Sequence, residues 1–474
     1  MRFIIKKIQM EKTKKLNVQL PIGFKFITIV LLTFAIFAAI TSVIQDYYTI
    51  TIDNNIAFLT KWIVFYIFVQ LIILLAAFRR NLKEIKINIR SVVLLGLLFM
   101  LITTVLSMKL SIYVTVFFGV AAIVYGLFIN KYFKPHPLFY FIFAYFIFQI
   151  FGLIWSIDMQ YGFKIIEREL SYLLVPVAFS FFVLTVSERT FLLKLFFRLL
   201  LIYMFAVSIA YIFQMKFHHL SILAGLSFNK HYITSLIPYC PEHYKLYLSW
   251  AGYSHPTFVC FILNLMLGLG IYLRKKDTAP NKITITEISI FGLLTVLTLF
   301  ILQSRLGMIS LPVVGVMVLY NLFYKKRILT SILTFFIVAV SAAIVLFVIL
   351  PHKEFFNDPI RLDQFRVMTD YIKEHYLLGT GTGGMIKYIP MFPTANNQII
   401  GDLFQLGLGG LLMLILLCGA VLYYSIKDRN YMLFFFFALY FLLMQTEMPL
   451  QLQKGITFFT LFTGLFVRPM VKTE

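Results

Sequence analysis

The chain has little charge. Only 13% of its 474 residues are Asp, Glu, Lys or Arg, roughly half the share of a soluble domain. Acid is scarcer still, with 20 Asp and Glu against 42 Lys and Arg and a net charge of +22. The three cysteines, Cys240, Cys260 and Cys418, lie far apart in the chain. They predict neither a disulfide framework nor a metal motif. The first long apolar run, from Phe26, is followed by no small-residue cleavage site, so no cleavable signal peptide is expected. These shortages exclude a soluble globular enzyme, a disordered chain and a disulfide scaffold.

What the chain has in excess is apolar side chain. It is 61% hydrophobic and carries 53 Phe and 27 Tyr, more than one water-soluble core can hide. The expected class is an all-α, polytopic helical membrane protein. A membrane-spanning helix needs about 20 apolar residues. About fourteen runs approach that length: 26–44, 57–78, 92–107, 112–130, 138–156, 170–187, 195–213, 256–273, 285–303, 306–324, 329–350, 402–424, 431–446 and 456–468. The last run is short, and twelve spans result if 92–107 and 112–130 form a re-entrant pair.

The basic residues sit in short loops between these runs, which is the positive-inside pattern and not a nucleic-acid footprint. Arg79, Arg80, Lys83, Lys86 and Arg90 fall on one side with Arg274 to Lys276, Lys325 to Arg327, Lys427, Arg429, Arg468 and the basic residues of 1–25. That side is expected to be cytoplasmic and to hold both termini. The organisation read from this is a basic N-terminus at 1–25 and a bundle at 26–350 with an outer loop at about 214–255. A large outer loop at 351–401 with an amphipathic helix follows, then the last helices at 402–474. Loops this long are usually functional.

Seven of the eight histidines, all but His136, fall on the outer side, but their spacing matches no zinc signature. No metal is expected. Arginine is sparse there: Arg168, Arg305, Arg361 and Arg366. Its guanidinium fork suits phosphate, so these few suggest an anionic ligand.

Four segments carry chemistry. Gln303-Ser304-Arg305-Leu306-Gly307 forms a tight outer hairpin between two spans, with Gly307 allowing close approach of backbones. Residues 361–376 form an amphipathic helix suited to lie on the membrane, and Gly379-Thr380-Gly381-Thr382-Gly383-Gly384 stops it in a tight turn. No strand precedes that glycine run and no Lys-Ser/Thr pair follows it, so it is not expected to hold a nucleotide. Asn396-Asn397-Gln398 puts amides at the outer mouth of the next span. Ser254-His255-Pro256-Thr257 opens another span on the same side, with Pro256 suited to a first helical turn.

In this order the segments resemble the O-antigen ligase/polymerase superfamily of bacterial membrane glycosyltransferases. Trp155-Ser156-Ile157-Asp158 and Glu167-Arg168-Glu169-Leu170-Ser171 are similar to its segment after an early span. His255-Pro256-Thr257 is similar to its His-Pro-Asn/Thr helix start, and Ser304-Arg305-Leu306-Gly307 to its Ser-Arg-x-Gly. Arg361 with Phe365 falls at its Arg-x-x-x-Trp, and Gly379 to Gly383 at its Gly-x-Gly-x-Gly. The resemblance covers roughly 138–425. It implies a GT-C-like fold with a large periplasmic loop before the third-last helix, in the bacterial inner membrane, with the active site periplasmic.

The implied reaction moves a glycan from undecaprenyl diphosphate to an acceptor hydroxyl, with inversion and without metal or other cofactor. The acceptor would be lipid A-core or another glycan. The implied catalytic residues are Arg305, Arg361, Asn396 and His255. Arg305, Arg361, Arg168, Asn397 and Gln398 are those implied to hold the diphosphate and glycan. One departure stands out: where the family has His-Asn, with the His as base, this chain has Asn396-Asn397. O-antigen ligation is the first reading and repeat-unit polymerisation the alternative. A lipid-linked oligosaccharide flippase or transporter is the second alternative. It predicts internal repeats and charged residues near broken helices. No repeat is visible, and Lys194 and Arg198 read as snorkelling side chains.

Overall fold

A computed structural model describes residues 89–106, 108–130, 133–217, 256–276, 282–302, 304–323, 359–389 and 397–467. All of them belong to one compact unit, Asn81–Glu474. The expected spans 26–44, 57–78 and 329–350 lie outside the described residues, as do both termini.

Every regular element among the described residues is a helix. In order they are α1 (Ile89–Leu106), α2 (Met108–Val124, continued by a π-helical turn at Tyr125–Asn130), α3 (Pro137–Phe151), α4 (Met159–Glu169), α5 (Ser171–Phe181) and α6 (Val186–Phe217). They are followed by α7 (Pro256–Lys276), α8 (Ile285–Leu302), α9 (Arg305–Phe323), α10 (Pro359–His375) and α11 (Met385–Tyr388). The last three are α12 (Gln398–Lys427), α13 (Tyr431–Met444) and α14 (Gln453–Phe466). Among the described residues three stretches are long and apolar enough to cross a membrane: Ser111–Ile129, Thr257–Lys275 and Gln398–Lys427. Five shorter apolar helices accompany them, in α1, α3, α8, α9 and α13. The chain is thus a helical protein with membrane-spanning character.

The helix starts follow local chemistry. His136 caps α3 by accepting from the Leu138 amide at 3.2 Å, with Pro137 as the first helical residue. Asn397 caps α12 through the Ile400 amide, and Asn430 caps α13 through that of Leu433. Two capping boxes open α6 and α8: Thr185 with Glu188, and Thr284 with Glu287, each pair bonding reciprocally.

α7 is the central helix, buried along nearly its whole length. It packs on α8, α9, α13 and α6. Phe261 meets Tyr440 edge-on at 5.9 Å, and Phe436, Phe458 and Phe462 extend the same aromatic core. α2 and α12 instead leave apolar side chains such as Tyr113, Phe117, Leu412 and Ile415 on the outside. A surface of that kind suits lipid, since only helices with satisfied backbones tolerate hydrocarbon.

One expectation needs correction. Arg198 does not snorkel: its Nε sits 2.7 Å from the Glu287 carboxylate, pairing α6 with α8. Within 351–401 the described residues hold α10, the glycine turn and α11, and the last of them already belong to α12.

Candidate functional site

α12 is broken. At Gly407 the backbone turns to φ 62°, ψ −156° inside an otherwise helical run. The break frees carbonyls that would otherwise bond four residues on, and buried carbonyls need partners. The glycine turn supplies them. The Thr380 amide donates to Phe404 O at 2.9 Å and the Gly381 amide to Gln405 O at 2.7 Å. The Leu408 amide, released on the other side of the break, donates to Tyr376 O. A Cβ on Gly407 would meet the Leu377 carbonyl, so glycine is required by both space and dihedral.

The same turn is gripped from α3 and α4. The Trp155 indole donates to Leu378 O at 2.7 Å, the Ser156 hydroxyl to Thr382 O at 2.7 Å, and the Ile157 amide to Thr380 O at 3.0 Å. Gly381 lies against the Ser156 backbone at φ 77°. The early Trp-Ser-Ile-Asp segment and the late glycine run, more than 200 residues apart, are therefore one structural unit. The glycine run does end α10, with the Gly379 amide on His375 O.

α10 divides its apolar positions. Met368 is fully buried, with Tyr371 and Ile372, against Met385, Phe404 and Met448. Leu362 and Phe365 remain exposed on another face. The helix is therefore docked on the bundle by one face, and only the remainder is left for a membrane surface.

Arg361, in the first turn of α10, reaches the connector between α13 and α14. Its Nη1 donates to Thr446 O at 3.2 Å, and its Nη2 lies 3.5 Å from the Glu447 carboxylate. Glu447 also receives a hydrogen bond from Thr257, the second residue of α7. Burial pushes the Glu447 carboxyl up from 4.5, and the charge of Arg361 and the hydrogen bonds only partly offset this. On the same connector, Asn397 donates to Gln445 O at 3.3 Å.

α9 begins nearby. Ser304 caps it through the Gly307 amide and hydrogen-bonds Cys260 one turn along α7 from Thr257. Gly307 packs directly on Cys260 and Leu299, as a Cβ there would meet both. Asn264 of α7 donates to Gly307 O and Ser310. The hairpin read from the sequence is present, with α8 ending at Leu302 and α9 starting at Arg305. The side chain of Arg305 lies outside the described residues.

The starts of α7, α10 and α12 thus meet the connector after α13 through Thr257, Arg361 and Asn397, and the start of α9 packs on the first turns of α7. The structure brings Arg361, Asn397, Thr257 and the first turn of α9 to this end. Arg168 is not joined to them: it is exposed in the last turn of α4 and makes no ion pair among the described residues. Gln398, the first residue of α12, is fully buried, donates to Asp402 at 2.9 Å and reaches the same connector by accepting from the Leu450 amide. His255 and Asn396 lie outside the described residues. Arg366 is exposed on another face of α10, away from the connector.

Glu447 and Asp402 were not singled out from the sequence. Glu447 sits alone in an eight-residue connector, and no spacing rule marks it. Asp402 was legible in principle, since an acid inside an apolar run is costly. Among the described residues no group of three or more His, Cys, Asp or Glu side chains could hold a metal ion. No family model and no curated protein matches the chain.

Proposed function

We propose that the chain is a membrane glycosyltransferase that moves an undecaprenyl-diphosphate-linked glycan onto an acceptor hydroxyl, on the periplasmic side of the bacterial inner membrane. The observation that supports this reading is the meeting of the Arg361 guanidinium with the first turns of α7, α10 and α12 at one connector. The positive ends of helix dipoles favour anions. A diphosphate leaving group is the anion that the sequence resemblance names. Some fourteen spans, both termini inside, and a GT-C-like arrangement belong to this same proposal.

In this reading the acceptor hydroxyl attacks the anomeric carbon opposite the diphosphate, inverting it. The C–O bond to the diphosphate breaks, and its charge grows where Arg361 and Arg305 stabilise it. Asn396 stands where a histidine base would be and cannot take the acceptor proton. Glu447 is a titratable group of the cluster, and burial raises its carboxyl in the direction that strengthens a general base. Asn397 holds the connector that carries it.

O-antigen ligation to lipid A-core is the first form of this reading, and repeat-unit polymerisation the second. Lipopolysaccharide gels of a deletion strain separate them. Loss of all capped bands marks a ligase, and a single repeat on core marks a polymerase. A normal ladder would reject both.

One observation favours a different class. A flippase or transporter calls for broken helices beside buried charge, and α12 is broken at Gly407 with Asp402 and Glu169 buried close by in the chain or by charge. Here the deletion strain would accumulate lipid-linked glycan on the cytoplasmic leaflet. The glycosyltransferase reading instead requires it on the outer leaflet.

A further inference from the structure

A second polar cluster, reached from the same connector through Gln398 and Gln451, lies among α3, α4, α5 and α12. Tyr145 of α3 is its hub. Its hydroxyl donates to Asp402 Oδ2 at 2.8 Å. Gln398 donates to Asp402 Oδ1 at 2.9 Å, and Gln451 approaches the same oxygen at 3.4 Å. Asp402 is therefore a carboxylate satisfied by donors.

Glu169 is not. It is fully buried at the end of α4, and neither carboxyl oxygen has a hydrogen-bond partner. Tyr172, three residues further on, meets Tyr145 edge-on at 5.8 Å, which places this end of α4 beside the Tyr145–Asp402 bond. Among the described residues no cation balances it; the one charged group acting on it is another acid. Gln149, one turn from Tyr145 and also fully buried, has neither its amide oxygen nor its nitrogen in a hydrogen bond of ordinary geometry. Its side chain nonetheless lies close enough to act on the Tyr145 hydroxyl. Buried polar atoms are rarely left without partners, and an uncompensated buried carboxylate is costly.

Glu169 and Gln149 therefore bring three acceptor oxygens without donors to the helices around Tyr145, two from Glu169 and one from Gln149. We propose that this site binds one alkali-metal cation of the sodium class, ligated by Glu169 and the Gln149 amide oxygen, with the Gln149 nitrogen turned to the Tyr145 hydroxyl. The ligands are all oxygen, which suits hard cations and not zinc or copper. One cation balances the charge of Glu169, whose oxygens lack donors, whereas the Asp402 oxygens are already hydrogen-bonded. The pocket adjoins the glycine turn: the Thr382 hydroxyl donates to Gln149 O at 2.6 Å, and Gln405 joins the Gly383 amide to Gln451. Cation binding would therefore brace the break in α12. The proposal is independent of the glycosyltransferase reading.

The test uses the full chain purified in detergent. Equilibrium binding of radioactive sodium is measured, together with thermal unfolding in sodium, potassium or choline chloride at equal ionic strength. Saturable binding of about one sodium per chain is expected, with a saturable rise in Tm in sodium and none in choline. Glu169→Gln should weaken sodium binding by about tenfold or more, as loss of a ligand shell member does. Gln149→Leu is the second variant and should also weaken it. Arg366→Ala, on the far exposed face of α10, should leave binding unchanged. Absence of saturable sodium binding by the natural chain overturns the proposal whatever the variants do. So does full sodium binding by a folded Glu169→Gln protein. If Tm rises only on acidification and ignores the cation, a proton holds the pocket and the proposal falls.

Discussion

At the scale of single residues, the outer cluster is a test of chemistry against position. Arg361 bonds a carbonyl and pairs with a carboxylate that Thr257 also holds. Arg361→Ala is expected to lower transfer by about 10²–10³-fold, the usual cost of one preorganised charge stabiliser, with normal membrane levels. Arg305→Ala should do the same, and Arg305→Lys should stay poor because a point charge does not replace a fork. Arg366→Ala, exposed on another face of α10, should retain activity. A dead Arg366 variant beside an active Arg361 variant would sink the assignment. The pH profile is the second check at this scale. Glu447 must be deprotonated to act as a base, so activity should fall as pH drops through its raised carboxyl range. That limb should vanish in Glu447→Gln along with most activity. A limb near 6.5 that survives this change but disappears in His255→Gln would assign the role to His255 instead.

At the scale of elements, the break in α12 and the glycine turn form a reciprocal pair: each supplies the backbone partners the other lacks. Gly407→Ala forces a Cβ toward the Leu377 carbonyl at a dihedral that essentially only glycine adopts. The dihedral alone costs about 1–3 kcal/mol, so a drop in Tm larger than that of a surface control such as Gly419→Ala is expected. Gly419 meets nothing within 4 Å. Equal Tm values for the two would show that the kink is not required. Much of this was legible in the sequence. The helix stop at Gly379, the hairpin at Arg305 and the start at Pro256 follow from turn and cap chemistry acting over three or four residues. The runs 92–107, 256–273 and 431–446 match helices to within a few residues. What could not be read is long-range. Nothing local says that Trp155 and Ser156 receive the glycine turn, that α12 breaks at Gly407, or that Glu447 meets Arg361. The run 138–156 stops at Phe151 because the following residues leave the helix to bind that turn. Arg198 was misread for the same reason, since its partner Glu287 is 89 residues away.

At the scale of the whole molecule, the Arg90 and Arg198 pairs fasten helices that local chemistry cannot hold. Arg90 grips Glu188 with two bonds, Nε to Oε1 at 2.8 Å and Nη2 to Oε2 at 2.7 Å, and also bonds Val183 O. Its guanidinium lies 4.9 Å from the centre of the Phe182 ring. Glu188 at the same time caps α6 with Thr185. One arginine therefore ties α1 to the start of α6, as Arg198 ties α6 to the capping Glu287 of α8. Burial by itself would raise the Glu188 carboxyl, but the bonds from Arg90 and Thr185 outweigh it and hold the group below 4.5. A carboxyl lowered on folding stabilises the protein above its unfolded value and loses that contribution as pH falls through the folded one. Arg90→Gln should therefore cost about 2 kcal/mol at neutral pH, the range for a hydrogen-bonded charge. The gap between natural and variant protein should narrow as pH drops below about 4.5 and Glu188 becomes protonated in both. Glu188→Gln should show a similar loss at neutral pH, and the double variant much less than the sum. Thermal unfolding in detergent across pH measures all of these. A gap that stays constant from neutral to acid would mean that Arg90 acts through its ring contact and the Val183 carbonyl, and the clamp would then be one of packing, not charge.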